Sequence, residues 1–321
     1  MDFALSEDQR AIVDALGQLL ERHAGASRGA ELAAKGEYDA ILDGVLAEAG
    51  FDALLLDGEE TGPLEAALAC EAVARAGGAV AFAATALVAP AVAKRRLPGP
   101  VALATVDDPG PVRFAFHART LLLVDGDSAR IVELTPGDVT SLHSNFGYPF
   151  GRLSEESRSR GKSLGPGSGE RLLAWWRVAL SAEMLGTMDA ALGFTVAYLN
   201  ERQQFGRPIG AFQAVQHRLA ECAIAVESAR WLVYETAAQG ARATAAATTA
   251  GFASIASGRV HRETHQLSGA IGYTTDHDLH VWSMRLQALR LELGGAGAHF
   301  RSLARQRWGR QRGSGAVVKE G

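Results

Sequence analysis

Residues 201–216 read Glu-Arg-Gln-Gln-Phe-Gly-Arg-Pro-Ile-Gly-Ala-Phe-Gln-Ala-Val-Gln, which places a fixed cation (Arg202), an aromatic ring (Phe205) and side-chain amides (Gln204, Gln213) in one short stretch. That set suits a dinucleotide: a guanidinium for the pyrophosphate, a ring for stacking and amides for hydrogen bonds. Spacing alone favours a plainer account, an inter-helix turn whose Phe205 and Phe212 pack in the core. Two histidine groups invite metal or proton-transfer chemistry. His261 and His265 stand four apart on a helical stretch with Glu263 between them, but a metalloprotease helix needs its Glu directly after the first His, and no third ligand is indicated. Asp276, His277 and His280 form the second group, again without a metal-ligand spacing. No metal site is expected at either place.

The elements that must position these residues follow from periodicity. Residues 6–23 carry Ile12, Leu16, Leu19 and Leu20 on one helical face, with Ser6 as N-cap and Gln9 completing a capping box. Further helices fit 38–50 and 64–76. The uncharged run 76–93 is rich in Ala and poor in Leu, Ile and Phe, so it reads as a buried helix broken at the Gly77-Gly78 pair and near Pro90 rather than a membrane span. Short β-rich runs at 112–116, 120–124 and 129–134, separated by turn residues, predict a small antiparallel sheet. Residues 154–169 are polar and rich in Gly and Ser, the composition of an exposed linker. From Glu170 a helical period returns through Trp176, Met184, Met188 and Tyr198. Later helices are expected at about 212–233, 241–267 and 279–307, joined by short turns as in a helix bundle. The expected organisation is an α-helical domain (1–97), a reduced middle β domain (98–153), a linker (154–169), a C-terminal four-helix bundle (170–310) and a flexible tail (311–321).

Composition narrows the function classes. A net charge of -4 with no long basic run gives no general reason to bind nucleic acid or an anionic membrane. Two cysteines, Cys70 and Cys222, suit a reducing cytoplasm, and the first residues lack the pattern of a signal peptide.

The string at 201–216, together with Gln-Leu-Ser-Gly-Ala-Ile-Gly-Tyr at 266–273, resembles the flavin-contacting signatures of the acyl-CoA dehydrogenase family. The order helical domain, β domain, helix bundle matches that family's mainly α architecture over almost the whole chain. The resemblance implies that Arg202, Gln204, Phe205 and Gln213 reach across a subunit interface to a neighbour's FAD, joined by Gln266 and Gly269; Ala270 stands where the family usually has a second Gly. It also implies acyl-CoA as substrate and an electron-transfer flavoprotein as electron acceptor.

The family's catalytic carboxylate is missing from both of its places. Trp176, followed by the matching Arg177, occupies one, and the neighbourhood of Leu293, Gly294 and Gly295 the other, so no catalytic residue is assigned. The middle β domain is short and lacks the family's Thr-Glu-Pro and Gly-Ser-Asp type segments. Glu292 has two readings: a base displaced out of register, or a solvated helix-end carboxylate among Arg285, Arg290 and Arg301. One residue turns a helical side chain by about 100°, which favours the second. The chain therefore resembles the short, degenerate subunits of α2β2 actinobacterial complexes that oxidise steroid-derived acyl-CoA, in which a companion subunit supplies the base. An autonomous dehydrogenase, a flavin-independent enzyme using Asp276, His277 or Glu292, and a purely structural bundle partner are the rival readings.

Overall fold

The computed structural model describes residues 5–56 and 61–309. The capping box forms: the Gln9 N–H donates to Ser6 Oγ at 3.1 Å and the Ser6 N–H to Gln9 Oε1 at 2.9 Å. Two amides that a helix start leaves open are thereby satisfied, and α1 (Glu7–His23) buries Leu16, Leu19 and Leu20. α2 (Ala26–Lys35) lies in a stretch to which no element was assigned. Gly29 is there for contact: a Cβ on it would meet Val281 at 2.9 Å and the Gly77 carbonyl at 3.1 Å. α3 (Ala40–Glu48) and α4 (Pro63–Arg75) fall where the apolar spacing puts them.

The run 76–93 is buried and breaks at Gly77 (φ 73°), but it does not break at Pro90. A π-helix, Ala83–Val88, continues directly into α5 (Ala89–Ala93). Its wider turn accommodates a proline that has no N–H to give and would crowd the carbonyl four residues back. No helix among the described residues is long and apolar enough to cross a membrane.

The middle region holds two sheets rather than one antiparallel sheet. β1 (Val101–Thr105), β3 (Thr120–Asp125), β4 (Ser128–Glu133) and β7 (Lys162–Pro166) lie in the order β1-β3-β4-β7, and β2 (Val112–Arg113), β5 (Val139–Leu142) and β6 (Phe150–Leu153) in the order β2-β6-β5. β1 pairs with β3 in parallel, Val101 opposite Thr120, and the crossover that parallel pairing demands carries β2 to the second sheet. The segment 154–169 is not a linker. It holds α6 (Glu155–Ser159) and β7, which pairs antiparallel with β4, and Ser168 Oγ accepts the Ala129 N–H at 2.7 Å.

α7 (Ser168–Glu201) is the axis of the C-terminal half and is buried along most of its length. Only a glycine at 186 fits against α4, since a Cβ there would collide with the Glu71 carbonyl. The chain then makes a two-residue ribbon, β8 (Gln203–Gln204) with β9 (Arg207–Pro208), before α8 (Gln213–Ala238) and α9 (Ala243–Ser268). The expected fourth helical region is two helices, α10 (Leu279–Leu291) and α11 (Gly295–Trp308). Leu293, Gly294 and Gly295 separate them in left-handed conformations, φ 55°, 81° and 66°. The bundle region therefore follows the expected helices except at this break. The expected tail, 311–321, lies outside the described residues.

Candidate functional site

A cleft of about 860 Å³ opens between the sheets, α7 and the break that separates α10 from α11. Leu103, Phe114, Phe150, Trp176 and Leu293 supply much of its apolar wall. Its floor is an ionic cluster built from three elements. Arg113 on β2 makes a bidentate contact with Glu183 on α7, Nη1 to Oε1 at 2.6 Å and Nη2 to Oε2 at 2.7 Å, and its Nε donates to Glu292 Oε2 at 3.0 Å. Trp176 Nε1 donates to the other Glu292 oxygen at 2.5 Å.

Burial works against the charge on Arg113, but the two carboxylates outweigh it and hold the guanidinium well above its ordinary pKa. Burial also pushes the Glu183 carboxyl up, with Arg113 pulling the other way; the bidentate geometry is that of a carboxylate facing a guanidinium. Tyr148, whose ring lies 5.1 Å from the Arg113 guanidinium, is raised by burial to about 12. Arg285 lies 5.0 Å from the same ring and is 1% exposed. Its hydrogen bonds go to the carbonyls of Gly147 and Gly78, and burial lowers its pKa.

Glu292 is thus not the solvated helix-end carboxylate its neighbours in sequence implied. The left-handed residues after it turn the chain so that the side chain enters the cleft and meets an arginine from a distant strand, while Arg290 binds Gln287 and Arg285 binds main chain. Nor is it a free base, since a donor engages each oxygen. The other acidic residue lining the cleft, Asp108, accepts the Gly110 N–H at 2.8 Å at the mouth. Trp176 is 5% exposed and forms part of the cleft wall, and the neighbouring Arg177 donates to Ser302 at 3.1 Å. Sequence reasoning passed over Arg113 and Glu183; a lone Arg in a β-rich run and a Glu inside an apolar helical stretch were the available signals.

The flavin-signature residues lie elsewhere. α7, α8 and α9 alternate in direction through short connections, so the end of α7, the start of α8 and the end of α9 share one end of the bundle. Arg202, Gln204, Phe205, Gln213, Gln266 and Gly269 all lie there and all are exposed. Among the described residues, no hydrogen bond or ion pair holds the side chains of Arg202, Gln204, Gln213 or Gln266. Phe205 does not pack in the core: it is 91% exposed at φ 53° on the tip of the ribbon, edge-on to Phe212 at 6.1 Å. The Arg207 guanidinium lies 4.0 Å over the Phe212 ring. An exposed ring on a backbone conformation unfavourable to a non-glycine residue is held there by its turn rather than by its own burial.

Among the described residues no group of three His, Cys, Asp or Glu side chains is placed to hold an ion. His261 donates Nδ1–H to the Ser283 carbonyl at 3.2 Å, a tautomer set by an acceptor that can only accept. His277 is 7% exposed beside Phe194 and Tyr198, and Asp276 is exposed.

Residues 168–307 match the family described as Acyl-CoA dehydrogenase, C-terminal domain. The chain is 30% identical over 292 residues to acyl-CoA dehydrogenase IpdE2 of Mycobacterium tuberculosis, covering 87% of this chain and 91% of that protein. To IpdE2 of Mycolicibacterium smegmatis it is 29% identical over 305 residues, 90% and 96% of the two chains. Among solved structures, a chain of the Tcur3481-Tcur3483 steroid ACAD superposes with a TM-score of 0.81 at 25% identity, covering 93% of this chain and 97% of that one. A chain of the ChsE4-ChsE5 complex of Mycobacterium tuberculosis superposes with a TM-score of 0.78 at 22% identity, covering 95% and 98%.

Proposed function

This chain belongs to the acyl-CoA dehydrogenase family, and we propose that it serves as the subunit without the base in a heteromeric, cytoplasmic enzyme that introduces an α,β double bond into an acyl-CoA thioester. The observation that carries this reading is the bundle end. Arg202, Gln204, Phe205, Gln213 and Gln266 are exposed there and free of side-chain partners among the described residues, apart from the edge contact of Phe205 with Phe212. A guanidinium, a ring and three amides of this kind fit FAD held at the contact with a companion subunit, with Gly269 allowing close approach. When bound, FAD supplies the hydride acceptor of the reaction. This chain's own residues would bind the pyrophosphate and adenine ends and orient the cofactor. A carboxylate of the companion would take the α-proton, because neither cleft carboxylate here is free of donors. A solved structure described as a steroid ACAD favours a steroid-derived acyl group, and one described as a two-protein complex favours a heteromer; the proposed form of that heteromer is α2β2, with an electron-transfer flavoprotein as acceptor.

The isolated chain should purify colourless, and the complex with its companion should carry the flavin spectrum. Stoichiometric FAD on the isolated chain would overturn the reading. One observation favours an autonomous enzyme instead: Glu292 stands inside the cleft. Its engagement by Arg113 and Trp176 makes that the weaker account.

A further inference from the structure

Directly beneath the exposed Gln266 and Gly269, four buried polar atoms have no hydrogen bond of good geometry among the described residues: His265 Nδ1 and Nε2, Ser268 Oγ and His277 Nε2. The three residues are 6%, 5% and 7% exposed. Buried polar atoms are normally satisfied, and each exception calls for a reason. Here they cluster where α9 ends and the chain turns through the 3₁₀ segment Gly269–Tyr273. The rings pack tilted or edge-on against their neighbours: His261 to His265 at 4.5 Å, His265 to Tyr273 at 4.9 Å, and His277 to Phe194 at 4.8 Å and to Tyr198 at 4.9 Å. Gly272 closes on Ser268, where a Cβ would come within 2.8 Å of the serine's own Cβ. The turn that carries Gly269 thus rests on imidazoles.

We propose that His265 and His277 are positioning residues that hold residues 266–273 in place only while their rings are neutral, so that this end of the bundle loosens on mild acidification. The groups facing the rings leave little to receive an added proton's charge. They are the other imidazoles, Tyr273 on the turn, Tyr198 on α7, Arg290 on α10, and Asp278 and His280 beside His277. Asp278 is the one anion among these, and Glu263 of α9 is committed to Arg218 of α8 at 2.6 Å. Burial lowers the pKa of all three rings, with the Gly272 main chain opposing at His265 and Asp278 opposing at His277. Each ring contributes stability that is complete above the unfolded value and is lost as pH falls toward the folded one.

The consequence for flavin rests on the function proposed above, so the test separates the two. In the isolated full-length chain, hydrogen-exchange protection of residues 266–273, corrected for the intrinsic effect of pH, should fall by about tenfold or more between about pH 7.5 and about pH 5. Protection in the α4–α7 contact should hold. His265→Phe keeps a ring against Tyr273 without a titrating group and should remove most of the fall; His277→Phe is the second variant, should the first not fold. A pH-independent segment, or a fall that persists unchanged in both variants, overturns the proposal. FAD retention by the complex is read over the same range. If the segment loosens while FAD stays bound, the positioning role stands and the placement of the cofactor at this end fails.

Discussion

At residue scale, Glu292 lines the cleft while a donor engages each of its oxygens, Arg113 at one and Trp176 at the other. Arg113 faces two glutamates at once, and the guanidinium it offers Glu183 is bidentate. Taking away one member of such a buried pair typically costs about 3–5 kcal/mol, because the other charge is left stranded, so Glu183 and Arg113 are tied to the fold. Glu292 is 18% exposed at its side chain and holds a third position in that cluster. Glu292→Gln keeps the size and an acceptor for the indole, and Asp276→Asn removes a carboxylate that is exposed. Placed only in this chain, each should leave steady-state acyl-CoA oxidation by the heteromer within a few-fold, whereas loss of a true general base costs at least ~10²-fold. A drop of that size with assembly and FAD intact would make this subunit catalytic. Arg202 carries the opposite expectation. A charge-assisted contact to pyrophosphate contributes about 1.5–3 kcal/mol, so Arg202→Ala should weaken FAD retention by the complex about tenfold or more. Unchanged flavin content across a dilution series would remove Arg202 from the cofactor site.

At the scale of elements, close approach decides the geometry. α4 and α7 pack so tightly at Gly186 that any side chain there meets the Glu71 main chain. Gly186→Ala should gain the helix propensity that Ala has over Gly, about 1 kcal/mol, and lose more to forced separation of the helices, since overpacking costs about 1–3 kcal/mol and backbone yields least. Net destabilisation in urea unfolding is the expected outcome. A variant as stable as the parent would mean that the two helices can part without penalty.

Such contacts also mark where the sequence was legible. α1 could be read from Ser6, Gln9 and the leucine face because its causes are local. The same holds for α7, whose apolar period runs unbroken through Trp176, Met184, Met188 and Tyr198. Residues 154–169 looked like a linker because composition reports local preference. Their role as an edge strand depends on β4, and on a Ser168 hydroxyl that meets Ala129. Arg113 lies 70 residues from Glu183 and 179 from Glu292, so nothing near it in the chain announces the cluster. α2 is bounded by turning glycines, Gly25 and Gly36, and carries inside it Gly29, whose reason is contact with Val281 and the Gly77 main chain far along the sequence.

For the whole molecule, acid is the informative stress, because buried imidazoles without partners stand against buried carboxylates with them. His299 on α11 is 0% exposed, neither ring nitrogen has a partner among the described residues, and burial, reinforced by Arg177, lowers it to about 4. The unfolded chain binds that proton at about 6.5 and the folded chain does not. Between these values the unfolded state therefore holds more protons, and stability falls as pH falls. At about pH 5 the loss from this one site is on the order of 2 kcal/mol. Glu71 opposes the trend, since burial raises its folded carboxyl despite Arg230 and Tyr234, and protonating it is easier folded than unfolded. The net slope of stability with pH is thus a difference of opposed contributions, and a single-site comparison isolates one of them. His299→Leu fills a similar space without a titrating ring. Its urea midpoint should change less between about pH 7 and about pH 5 than that of the parent, by an amount corresponding to about 2 kcal/mol. Parallel pH profiles for the two proteins would show that His299 is protonated in the folded state or that α11 yields to admit water.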